Sequence, residues 1–114
     1  MNAPDIDKIL DCIRQFRTPY ERATKRMIAN ALGLPYANTH SNAVDRAIRD
    51  AVTELRKQGH PICSDSGKAG YWYSAAGIGH TIAEYESRAN EMYQIARAMK
   101  RGYVPSRPQQ MELV

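Results

Sequence analysis

Asn42, Arg46, Arg49 and Thr53 all carry groups that can read the edge of a base pair. A guanidinium donates two parallel hydrogen bonds to guanine, a carboxamide pairs bidentately with adenine, and a hydroxyl serves several partners. On a helix advancing about 100° per residue these four cluster in one direction. Val44, Ile48, Ala51 and Leu55 fall within about 60° of one another on the opposite side, so the segment reads as a helix with one apolar and one polar face. Ser66, Gly67 and Lys68 follow as a small, basic turn, suited to grazing a nucleic-acid backbone. Lys25, behind Thr24 at the start of the preceding helix, is a further phosphate-holding candidate. Asp45, Asp50 and Glu54 lie beside the same polar face and repel phosphates, which favours a plain solvated helix or a protein partner.

Other chemistries find less support. His40, His60 and His80 are dispersed, and His60 with Cys63 makes only a lone H-x-x-C, short of the four ligands of a zinc site. Cys63 reads as structural and Cys12 as a small buried hydrophobe beside the first helix's apolar stripe. No Ser/His/Asp or Cys/His set is gathered locally, and there is no P-loop or G-x-G-x-x-G, so the chain reads as non-enzymatic, with no cofactor and no metal. Tyr71, Trp72 and Tyr73 could stack single-stranded bases, but such a trio is more often a strand whose alternate rings cap a core.

The elements that would position these groups follow from periodicity and punctuation. Ile6, Ile9, Leu10 and Ile13 define a first helix over about 5–16, with Pro4 in its first turn and Thr18-Pro19 closing it. Thr24 caps a second, ending at Gly33, with Met27, Ile28, Ala31 and Leu32 as its apolar stripe. The stretch LGLPYANT is turn-forming, and a third helix spans 41–58 until Gly59 and Pro61 stop it. PICS and YWYS read as two strands joined by the six residues DSGKAG. A last helix runs from Ile78 or Gly79 to about Arg101.

In that last helix Ile82, Tyr85, Ala89, Met92, Ala96, Met99 and Tyr103 recur at alternating steps of three and four, a heptad-like seam. It either packs back on its own domain or forms a dimer interface through Ile82, Tyr85, Ala89, Met92, Ala96 and Met99. Acids come early and bases late along it, which would let antiparallel partners pair opposite charges. The tail VPSRPQQMELV has two prolines and no period, and reads as a flexible arm.

The run RAIRDAVTELRKQGHPI followed by CSDSGKAGYWYS resembles the recognition helix and wing of winged helix-turn-helix domains, chiefly the module at the N-terminus of biotin repressor and small phage-encoded relatives. TKRMIANALGL resembles the positioning helix of such units. The likeness covers about residues 5–74. It departs in one place: PYANTHSNA separates the second helix from the third, where the usual turn is shorter. Carried over from the C-terminal end of the helix, the resemblance implies base-facing positions centred on Asp45, Arg46, Arg49 and Asp50. It implies a double-stranded DNA partner and a small regulator or accessory factor of phage or bacterial origin. Winged helices also serve as protein–protein modules, so a place in a replication, packaging or repression complex is the alternative.

Composition sets the outer bounds. The 114 residues suit one small domain, with Leu, Ile, Val and Phe totalling only 19 but 15 Ala, 7 Tyr and 5 Met supplying further apolar surface. A net charge of +4 tolerates a polyanionic partner without requiring one. Two distant cysteines argue against a disulfide scaffold. No run nears the ~18 apolar residues of a membrane span, and MNAPDIDKIL has no signal-peptide core, so the expected compartment is the cytoplasm. The expected fold is mainly α with a small β-hairpin: a winged helix-turn-helix over 1–74, a long C-terminal helix over 75–103 and a tail over 104–114.

Overall fold

The computed structural model describes residues 3–34 and 43–103. The chain is mainly helical with a small antiparallel hairpin, in the order α1 (Ala3–Arg14), α2 (Lys25–Ala31), α3 (Ala43–Lys57), β1 (Ile62–Asp65), β2 (Lys68–Tyr73) and α4 (Ile78–Gly102). It divides into two compact units, Met1–Thr81 and Ile82–Val114. Much of PYANTHSNA, with Asn42, and the tail VPSRPQQMELV lie outside the described residues.

The first unit is built on one apolar centre. Ile9 and Ile13 of α1, Ile28 and Ala29 of α2, and Ile48, Ala51, Val52 and Leu55 of α3 meet there with Ile62 of β1. The α3 stripe is the one that the sequence spacing predicts, with Val52 added and Val44 half-buried at its edge. The α2 stripe is different. Ile28 and Ala29 are buried, whereas Met27 and Ala31 are exposed. With only seven residues, α2 has too few turns for its spacing to fix the inward side, and the positions of α1 and α3 decide it.

Thr24 is the N-cap of α2, its hydroxyl accepting from the Met27 N–H at 3.2 Å. Helix α1 stops at Arg14, two residues before the expected Phe16, and the Phe16 carbonyl accepts instead from the Tyr73 N–H at 2.7 Å. The hairpin is also tighter than the spacing suggests, because only Ser66 and Gly67 lie between the strands. Asp65 accounts for this. One of its carboxylate oxygens accepts from both the Gly67 and the Lys68 N–H at 3.0 Å, an Asx-type turn that holds the chain back on itself.

Both edges of the hairpin are occupied. Ala23, between α1 and α2, pairs with Tyr71 through reciprocal N–H···O bonds of 2.8 and 2.9 Å. On β1, the Thr81 hydroxyl donates to the Ser64 carbonyl at 2.9 Å and accepts from the Ser64 N–H at 3.1 Å. A side chain thus stands in for a strand neighbour and satisfies an edge that would otherwise template another chain. Cys63 is buried, and its thiol donates to the Ser74 carbonyl at 3.4 Å. Burial raises the pKa of both Cys63 and Cys12, so neither thiol is activated.

The second unit continues α4 beyond Thr81. Ile82, Tyr85, Met92, Tyr93, Ile95 and Met99 are exposed on it. Arg88 lies 5.0 Å from the Tyr85 ring and Arg97 lies 5.7 Å from the Tyr93 ring, both contacts within the helix. Among the described residues no helix is long and apolar enough to cross a membrane.

Candidate nucleic-acid interface

Burying Ile48, Ala51, Val52 and Leu55 turns the other side of α3 outward, and Arg46, Arg49 and Thr53 are all exposed. Neither arginine side chain forms a hydrogen bond or ion pair among the described residues. Thr53 is committed in part, since its hydroxyl donates to the Arg49 carbonyl at 3.0 Å and can only accept from a further partner. Asp50 and Glu54 are exposed on the same helix.

Lys25 and Asp45 form an ion pair of 2.7 Å that ties the start of α2 to the start of α3. Each therefore offsets the other. One of the three acids beside the polar face is thus neutralised locally, and the Lys25 ammonium must share itself to reach a phosphate. The Thr24 hydroxyl accepts as a cap and keeps its own O–H to donate, beside the Lys25 ammonium.

At the hairpin, Ser66 and Lys68 are exposed at the tip. The backbone of Lys68 is held at both ends, its N–H by Asp65 and its carbonyl by the Arg22 guanidinium at 3.0 Å, while its ammonium forms no ion pair among the described residues. An open cleft of about 550 Å³ lies between the start of α2, the start of α3 and the hairpin. Lys25, Arg26, Asp45, Lys68 and Tyr71 are among its walls. Burial holds the Tyr71 phenol above its ordinary pKa, against the opposing pull of Lys25 and Arg56.

Three residues that periodicity does not single out fix this geometry. Arg22 is nearly buried and donates to the Pro19 carbonyl at 2.8 Å, to the Lys68 carbonyl and to Asp65 at 3.0 Å, with its guanidinium 4.5 Å above the Trp72 ring. This bond holds the Asp65 carboxyl below its ordinary pKa. Arg56 donates to the Ile62 carbonyl at 2.9 Å and the Ser64 hydroxyl at 3.0 Å, fastening the end of α3 to β1. Gly70, at φ +112°, lets β2 pass close to Arg22, where a Cβ would sit 2.6 Å from the Arg22 Cβ. Gly70 reads in the sequence as part of the DSGKAG connection but lies within β2, and the bonds by which the two arginines fasten the hairpin span 6 to 46 residues, which leave no local pattern.

The aromatic trio forms a strand. Trp72 is only 7% exposed, while Tyr71 and Tyr73 pack against the core. Tyr73 also meets His60 through a 3.0 Å hydrogen bond. Stacking of bases on three adjacent exposed rings is excluded by that burial. His60 and Cys63 have structural partners, and no group of three metal-ligating side chains occurs among the described residues. Compared with family models, with curated proteins and with solved structures, the chain finds no match in any of the three.

Proposed function

We propose that the chain is a small winged-helix DNA-binding protein, non-enzymatic, acting as a regulator or accessory factor of phage or bacterial origin. One observation carries this reading. The exposed Arg46 and Arg49 of α3 stand in the same unit as a basic hairpin tip that Arg22 and the Ala23–Tyr71 bridge hold in a fixed position. The order of elements, with a short strand-like pairing between α1 and α2, agrees with the winged-helix resemblance of residues 46–74. In this reading Arg46 and Arg49 contact base edges, with Asn42 and Thr53 assisting, while Lys68, Ser66, Lys25 and the backbone at Thr24 meet phosphates. A homodimer through α4 would present the face twice to a two-fold target.

Fluorescence anisotropy against a random duplex pool at two salt concentrations tests the proposal. Binding should weaken steeply with salt, because phosphate contacts release counterions. Arg46→Ala with Arg49→Ala should cost about 1–3 kcal/mol per base contact and flatten sequence preference, whereas Lys68→Ala should weaken all duplexes alike. An unchanged affinity in the double variant would remove α3 from the reading role.

The exposed Asp50 and Glu54 favour a second reading, a protein-interaction module. No retention of any duplex, even at low salt, selects it.

A further inference from the structure

Along α4 the exposed apolar side chains exceed what a solvated helix carries: Met92 is 68% exposed, Met99 66% and Tyr93 62%, with Ile95 and Tyr103 also more than half exposed. Met92, Met99 and Tyr103 belong to the seam of alternating threes and fours. Tyr93 and Ile95 do not, and they flank it on either side.

We propose that α4 pairs with α4 of a second copy of this chain, antiparallel about a two-fold axis at the level of Gln94. The proposal concerns α4 alone and stands whatever α3 binds. The register follows from which residues oppose one another. With the axis there, Met92 of one copy meets the second copy's Ala96, Ala89 meets Met99, and Tyr85 meets Tyr103. Each Met–Ala layer sets a long side chain against a short one, so the core fills without crowding. On one flank Glu86 faces the second copy's Lys100, twice by symmetry, and Tyr93 faces its own symmetry mate. On the other flank Ile95 faces its mate.

This register therefore covers both off-seam hydrophobes and matches the acids-early, bases-late polarity of the helix. Moving it by one heptad towards Ile82 sets Glu86 against Tyr93 and Arg88 against Ile95, pairing charge with apolar surface. A parallel pair stacks Ala on Ala and Met on Met, and brings Ile95 against Lys100. From Tyr85 to Tyr103 the pairing would run about 28 Å along the helix, at about 1.5 Å per residue, with six seam layers.

Sedimentation equilibrium on the full chain, without nucleic acid, tests this. The expected mass is that of two copies, 12.9 kDa each. Glu86→Lys places like charges opposite each other at two symmetric points and should raise the dimer dissociation constant about tenfold at low ionic strength; Lys100→Glu should do the same. Both changes together should restore it to within about threefold, and added salt should shrink every difference. Circular dichroism should show all three variants keeping their helix content, since both positions are exposed. A monomer at every concentration overturns the pairing. A dimer indifferent to single charge reversal, or one that the double exchange fails to rescue, overturns the antiparallel register.

Discussion

Helices α3 and α4 carry apolar residues at much the same spacing and end differently. In α3 the stripe is buried under α1, α2 and β1, and the polar side faces out. In α4, beyond Thr81, the stripe itself is exposed. Spacing specifies that a stripe exists, while its burial depends on whether distant segments reach it. For α3 they do: α1 arrives from some forty residues upstream, and the hairpin is tied to the segment before α2 through Arg22 and Ala23. On α4 past Thr81, Arg88 lies 5.0 Å from the Tyr85 ring and Arg97 lies 5.7 Å from the Tyr93 ring, both contacts within the helix.

The largest effect expected from this contrast comes from truncating equivalent side chains on the two helices. Leu55→Ala removes a side chain that is 2% exposed and should cost about 2–5 kcal/mol, through lost transfer energy and the cavity left behind. Met92→Ala, at an exposed position, should leave the unfolding of dilute protein within about 0.5 kcal/mol of the parent. Urea denaturation of both variants measures the difference. Equal losses would mean that α4 is covered within its own chain, and the contrast between the helices would collapse.

A smaller effect is expected where β2 crosses Arg22. Gly70→Ala meets two costs, the positive φ and the 2.6 Å approach of its new Cβ to the Arg22 Cβ. Gly59 also has a positive φ, +98°, but open space around its Cβ position, so Gly59→Ala isolates the conformational cost of about 1–3 kcal/mol. Gly70→Ala should exceed it and should also weaken the hydrogen bonds between Ala23 and Tyr71, read as faster amide exchange at those two residues. Equal destabilisation by both alanines would show that the close approach costs nothing and that the hairpin is less firmly seated than its bonds suggest.

These expectations also show which parts of the molecule its sequence could disclose. Local signals were legible. Thr24 was readable as a cap because a hydroxyl before an apolar run has one strong use, and the α3 faces were readable because fifteen residues give four turns of repeating pattern. The hairpin was legible as an element but not in its length, since the turn is set by the Asp65 carboxylate gripping two backbone N–H groups. The inward side of α2 departs from its spacing at Met27 and Ala31, which are exposed, because neighbours choose it. Arg22 was invisible: its partners Asp65 and Lys68 are 43 and 46 residues away, and no spacing rule links them. For the candidate interface, the reading residues could be proposed locally, whereas the groups that hold the hairpin beside them depend on the fold.

The smallest expected effect is a pH dependence at the same junction. The Arg22 guanidinium, with help from the Gly67 and Lys68 N–H groups, keeps the Asp65 carboxyl below its ordinary pKa of 3.8. A carboxyl whose pKa is lower folded than unfolded stabilises the native state above its unfolded value. That stabilisation disappears as pH falls through the folded value. Asp65→Asn keeps an oxygen that can accept from the turn but abolishes the charge facing Arg22. Thermal midpoints of parent and variant should therefore differ at pH 6 and draw together as pH drops below about 4. The other carboxylates titrate in both proteins and cancel in the difference. A gap that stays constant from pH 6 to pH 3 would mean that the Arg22–Asp65 contact contributes through shape alone, and the hairpin would then be held to the segment before α2 mainly by its hydrogen bonds to Ala23.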